Sequence, residues 1–326
     1  MRRMHAPLAA IVAAIVAIGL AACGDDDDNG AEDGATGQNS DLTFSVITHG
    51  EGDTFWAVAK AGAEQAGEDL GVTVNYQESQ NDPQRQAQLV ESAITEEVDG
   101  IATSVPDPDA LSGAIKSATD ADIPVVTLNS GSDVFEKLGA ITHVGQDETI
   151  AGEAAGERLS NEGATKAICI IHEQANIGLD QRCEGTADGF GGEIENLQVT
   201  GVADLATTQT EISSALQADS SIDGVLALNP DVAVAARDAV TESGSEATVA
   251  TFDLSPDVIT AIGDGEIAFA IDQQQYLQGY LPVEFLYLFH TNQNTVGGGF
   301  PVLTGPGFVD ETNAETVADL AEAGTR

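Results

Sequence analysis

From Asp41 onward, short apolar runs alternate with amphipathic stretches, the pattern of a parallel sheet buried on both faces with helices joining its strands. The apolar runs predict strands at 42–48, 72–76, 100–104, 124–128, 140–144, 167–171, 198–203, 223–228, 247–252 and 267–271. Helical periodicity is clearest at 54–70, 84–97, 147–161, 230–242 and 275–289. So many strands sit uneasily in one open sheet, and an internal repeat divides them. Asp99, Gly100, Pro106, Asp107 and Asn129 recur 124 residues later as Asp223, Gly224, Pro230, Asp231 and Asp253. Several matches at one offset imply two similarly built α/β lobes, and the cleft between them is the expected functional place.

The N-terminus has a different character. Arg2 and Arg3 precede an apolar run from Leu8 to Leu20, which is short for a membrane span and reads as an export signal. The run ends in Leu20, Ala21, Ala22 and Cys23, which resembles the lipobox of bacterial lipoproteins. That resemblance implies cleavage after residue 22 and a diacylglycerol on the Cys23 sulfur, anchoring the chain to the outer face of the cell membrane. Residues 23–40 are rich in Asp, Gly, Asn and Glu and read as a solvated tether. Asp25–Asp28 lack the spaced ligands of a calcium loop.

Charge narrows the partners. The chain carries 11 Lys plus Arg against 54 Asp plus Glu, a formal charge of -43, which repels nucleic acid and anionic lipid. Nucleic acid is therefore not expected as a partner, and the membrane is met through the anchor alone. In an oxidising compartment Cys169, in the apolar run 167–171, and Cys183, near the start of a predicted helix, are expected to pair, pinning a strand to its crossover.

In open α/β sheets ligands bind beyond the carboxyl ends of the strands. Those ends offer Thr48 and His49, the segment Gly50 to Trp56, then Asn129, Asn229, Asp253 and Asp272 to Gln275. They supply planar amides, carboxylates and aromatics but no nucleophile with a paired base, so no catalytic residue and no cofactor is expected. Such a lining suits a polyhydroxylated, uncharged solute: amides and carboxylates take up adjacent hydroxyls, and an aromatic face covers C–H groups. His49, His143 and His172 lack metal-ligand spacing and are read as structural, with no metal site. Gly297–Gly299 reads as a flexible connection.

Thr48 to Ala63, Ile123 to Asn129, Arg182 to Gly185, Asn229, Thr251 to Asp257 and Phe269 to Gln273 resemble the periplasmic binding proteins of ribose type, the sugar-binding components of ABC importers. The resemblance implies two Rossmann-like lobes with parallel sheets joined by a three-strand hinge. It assigns 41–146 with 274–303 to the N-terminal lobe and 147–273 with 304–326 to the C-terminal lobe, with crossovers near Gln146, Gln273 and Leu303. It further implies a monomer that closes over a monosaccharide or sugar alcohol and is then recognised by an ABC permease. Phe55 and Trp56 take the place of the aromatic pair that lines the sugar, with Asp53 just before them. Asn129 stands where ribose binders carry aspartate, and Ser130 where they carry arginine. Arg182, Asn229 and Asp253 fall on the second lobe's hydroxyl-binding positions, and Gln273 on the hinge glutamine. A nucleoside or a furanose-like signal is the alternative guest. A carbohydrate hydrolase is a remoter reading, because no pair of catalytic carboxylates stands out.

Overall fold

The computed structural model describes residues 41–326 apart from residue 51. The export signal, the tether and Cys23 lie outside the described residues.

The first half of the described chain runs β1 (Thr43–Thr48), α1 (Thr54–Leu70), β2 (Thr73–Glu78), α2 (Pro83–Thr95), β3 (Gly100–Ser104), α3 (Pro108–Asp120), β4 (Val125–Asn129), α4 (Phe135–Leu138) and β5 (Thr142–Gly145). It continues as α5 (Glu148–Asn161), β6 (Lys166–Ile171), α6 (Ile177–Gly189), β7 (Glu193–Gln198), α7 (Leu205–Ala218), β8 (Gly224–Ala227), α8 (Pro230–Ser243), β9 (Thr248–Phe252), α9 (Pro256–Gly263) and β10 (Phe269–Asp272). The last part is α10 (Gln275–Asn292), β11 (Val302–Leu303), β12 (Gly307–Asp310) and α11 (Ala314–Glu322).

These strands form two six-stranded sheets, ordered β11-β5-β4-β3-β1-β2 and β12-β10-β9-β8-β6-β7. All pairings are parallel except β10 with β12, where Phe269 faces Asp310. The chain passes from the first sheet to the second after β5, returns after β10, and passes again between β11 and β12. Each sheet is covered on both faces. Phe44, Val46, Ala102 and Leu128 pack on one side of the first, Ile47, Ile101, Leu111 and Ile115 on the other. The second sheet divides likewise, with Ile170, Val225 and Ala270 on one face and Cys169, Leu226 and Phe252 on the other.

A small part of the acidic composition serves the helix starts. Asp53, Asp82, Asp107, Asp147 and Asp204 each accept a backbone N–H at the start of a helix, where the helix dipole also favours a negative charge. Two helices approach unusually closely: a Cβ on Gly152 of α5 would lie 2.2 Å from the Arg182 carbonyl oxygen of α6, and one on Gly185 would lie 2.2 Å from the Thr149 carbonyl oxygen. Only glycine allows this approach, and it brings the start of α5 beside Arg182.

Two readings differ from the structure. The strand expected at 198–203 lies at Glu193–Gln198 instead, on a sheet edge. Its side chains are mostly exposed and polar, so the apolar signal of Val199 and Val202 drew the expectation downstream. Cys183 sits in the middle of α6 rather than near its start, and it is bonded to Cys169 of β6 with Cα atoms 5.8 Å apart.

Candidate functional site

The carboxyl ends of both sheets' strands meet across a narrow polar cavity. Its walls include all eight residues expected there: Asp53, Phe55, Trp56, Asn129, Arg182, Asn229, Asp253 and Gln273.

The floor is a chain of carboxamides at the crossings between sheets. Asn129 Nδ2 donates to Gln278 Oε1 at 3.2 Å and to Gln273 Oε1 at 3.4 Å. Gln278 Nε2 reaches Gln273 Oε1 at 2.8 Å, and Gln273 Nε2 donates to Asp253 Oδ1 at 2.8 Å. Asn129 and Asp253, the last pair of the internal repeat, share another property. Both have positive φ, 56° and 70°, a left-handed conformation that short polar side chains tolerate better than bulky ones. The two β-strand ends therefore turn their polar side chains in the same local manner.

The first wall is the start of α1. Asp53 caps the helix, accepting from Trp56 N at 2.9 Å, and this directs Phe55 and Trp56 into the cleft, where their rings meet edge to face at 4.8 Å. The opposite wall is built on α6 and α8. Asn229 caps α8 with its Oδ1 and donates from Nδ2 to Asp53 Oδ2 at 3.1 Å, so one side chain both starts a helix and reaches the other sheet's wall. Asp253 is not a cap, since Ser255 fills that role for α9. Thr54 Oγ1 with Asp231 at 2.8 Å, Ser130 Oγ with Asn176 at 3.2 Å and Ile177 N with Pro106 O at 3.0 Å also cross between the walls.

Arg182 is placed in the wall, but its guanidinium is already engaged. Nε and Nη2 meet Glu148 at 2.5 and 3.0 Å, and the group lies over the Phe252 ring at 4.7 Å. Gln146 Nε2 donates to the same carboxylate at 2.9 Å. Burial pushes Asp53 and Asp253 each up to about 7; Trp56 N–H opposes this at Asp53, and Arg182 opposes it at Asp253. Burial also acts to raise Glu173, but His49, His172 and Asn176 outweigh it and hold that carboxyl below the usual carboxylate range. His143 is a buried ring bonded to Thr127 at 2.9 Å, pushed down to about 3 by burial.

Sequence reading missed Glu148, Glu173 and Asn176, and it gave His49 and His172 only structural roles. His172 lines the cavity, and His49 contacts Glu173 from the first sheet. Their position directly after β1 and β6 was the available signal. Glu148 carried none, because its partner is set by the close packing of α5 on α6.

Chemically, the cavity offers acceptors and amides in quantity, two aromatic surfaces, and a cation whose charge is matched by a buried carboxylate. Residues 44–293 match the family described as periplasmic binding protein domain. The ribose import binding protein of Bacillus subtilis (strain 168) is 26% identical over 269 residues, covering 81% of this chain and 87% of that protein. A carbohydrate transporter from Acidothermus cellulolyticus 11B, solved in complex with myo-inositol, superposes with a TM-score of 0.86 at 44% identity, covering 88% of this chain and 100% of that one. A solute-binding protein from Burkholderia graminis C4D1M, solved with D-arabinose, gives 0.73 at 26% identity, covering 84% and 96%.

Proposed function

Because the chain belongs to the periplasmic binding proteins of ribose type, the sugar-binding components of ABC importers, we propose that it captures an uncharged polyol or monosaccharide, with myo-inositol the first candidate. The chain is a binding protein and not an enzyme. The observation that carries the choice of solute is the charge arrangement of the cavity. Asp53, Glu173 and Asp253 line it, while Arg182, the cation in that lining, faces Glu148. An anionic sugar phosphate finds no free positive charge there and meets repulsion, whereas hydroxyls donate to the carboxylates and accept from the amides. The likeness to a protein solved with myo-inositol favours a ring polyol over an open-chain one.

The solute settles against Phe55, Trp56 and Asn129 of one lobe, and the other lobe brings Asn229, Asp253 and Arg182 over it. Lobe 41–146 with 274–303 turns against lobe 147–273 with 304–326 about Gln146, Gln273 and Leu303. The closed monomer then docks on its permease, held at the outer membrane face by the lipid on Cys23. Titration calorimetry with myo-inositol, ribose, ribitol, xylitol, adenosine and a sugar phosphate tests this. The expected result is saturable binding of one equivalent of an uncharged polyol or monosaccharide and none of the phosphate. Binding of the phosphate alone, or of adenosine alone, overturns it.

A further inference from the structure

We infer that Glu173 selects the solute: its carboxylate, held against His49 of the opposite wall, accepts one particular hydroxyl of the guest, and His49 positions it. The inference rests on the polyol reading above and adds the residue that discriminates among polyols.

Glu173 lies two residues beyond β6, with its side chain 7% exposed. Its Oε2 is approached from both walls, by Asn176 Nδ2 at 2.6 Å and by His49 Nε2 at 3.4 Å. Its Oε1 makes no hydrogen bond among the described residues; the nearest ring nitrogen, His172 Nε2, is 3.9 Å away. A carboxylate with one oxygen engaged and the other free, in a cavity from which water is displaced, needs a donor, and a guest hydroxyl supplies it. Arg182 makes no bond to Glu173: Nε and Nη2 are held by Glu148, and Nη1 lies 3.5 Å from Leu228 O.

A hydrogen-bond network behind His49 fixes the ring. Ser104 Oγ accepts from His49 N at 3.0 Å and lies 3.2 Å from Gln86 Nε2, which also donates to Ser104 O at 2.7 Å. Ser104 Oγ also meets His49 Nδ1 at 2.8 Å, so the ring is held from behind with Nε2 turned to Glu173 and, at 3.3 Å, to Asn176 Nδ2. Asn176 is oriented just as firmly: its Oδ1 accepts from Gly178 N at 3.0 Å and lies 3.2 Å from Ser130 Oγ, leaving its NH2 for Glu173 and for the contact with His49 Nε2. The His49 ring also packs edge-on to Trp56 at 4.8 Å, so the aromatic wall and the carboxylate are set by one ring. Glu173 is thus held by Asn176 and against His49 from the two walls, the condition under which a single acceptor distinguishes stereoisomers.

The test is calorimetric titration of wild type, Glu173→Gln, His49→Ala and His49→Gln with myo-inositol and its monodeoxy analogues, with thermal unfolding as the check that each variant folds. Glu173→Gln is expected to weaken myo-inositol binding about 10- to 100-fold, the range for a hydrogen bond to a charged group. One monodeoxy analogue, lacking the hydroxyl that meets Glu173, binds wild type and Glu173→Gln alike. His49→Ala weakens binding in the wild-type background and has little further effect on Glu173→Gln, and His49→Gln, which keeps an N–H donor, recovers part of the loss. An equal loss for every analogue, or none for any, overturns the inference. If another polyol binds in place of myo-inositol, the same selective pattern is required of its deoxy forms. If no uncharged polyol binds wild type, the proposed function fails and the role of Glu173 fails with it.

Discussion

Replacing Arg182 with Met removes the partner of a carboxylate that has almost no access to water. The Glu148 side chain is 1% exposed and the Arg182 side chain 5%, joined by two charge-assisted hydrogen bonds. Breaking one side of such a pair leaves an uncompensated buried charge, at a cost of about 3 to 5 kcal/mol. Gln146 still donates to Glu148, which places the expected loss toward the lower end. Replacing both residues by Met removes both charges, and exchanging a buried ion pair for apolar groups of similar volume is often neutral or stabilising. Urea unfolding of the ligand-free protein therefore predicts Arg182→Met about 3 kcal/mol less stable than wild type and the double variant close to wild type. Solute binding stays impaired in both, since Arg182 and its charge are absent from the wall in each. A single variant within about 1 kcal/mol of wild type, or a double variant as unstable as the single one, refutes the buried-pair reasoning.

Asp53 and Asp253 are pushed up to about 7 by burial in the closed empty chamber, and opening returns them to water. Closure without a guest therefore takes up protons, so acidification below about 7 favours it. Small-angle scattering of the empty protein across neutral pH shows a radius of gyration that falls on acidification; a radius that rises contradicts this. Gly50→Ala places a Cβ 1.9 Å from Trp56 Nε1, so the indole must move. Solute binding falls about tenfold or more, with a shift in the fluorescence of the single tryptophan, while the unfolding temperature changes little. The Cys169–Cys183 bond spans 14 residues, and opening it by double Ser substitution costs about 3 kcal/mol in urea unfolding. Both thiols resist alkylation until the protein is reduced.

Much of the architecture is legible because parallel strands buried on both faces must be apolar runs. The runs at 42–48, 100–104 and 167–171 coincide closely with β1, β3 and β6. The exceptions are strands that do not need such runs. β7 is an edge strand with mostly exposed polar side chains, and β11 has two residues, ordered by its pairing with β5 rather than by its own preference. The site divides in the same way. Asn129 and Asp253 are visible because a strand end in an α/β sheet faces the ligand, and their matching positive φ values explain why the repeat keeps a short polar residue there. Glu148 and Glu173 are invisible because their partners are brought by helix packing and by the meeting of two walls, events remote in sequence. Arg182 was legible in place, while its ion pair through Nε and Nη2 with Glu148 was not.

Under the proposed function, an uncharged polyol stabilises the closed arrangement. Without a guest, Asp53, Glu173 and Asp253 share a chamber sealed by Asp53–Asn229 and Thr54–Asp231, a burial of like charges that favours opening. Small-angle scattering of the protein with and without saturating myo-inositol, or whichever polyol titrates, measures this directly. The expected radius of gyration falls on binding, with the bound curve matching the closed structure; a curve that the solute leaves unchanged, or expands, rules closure by the solute out.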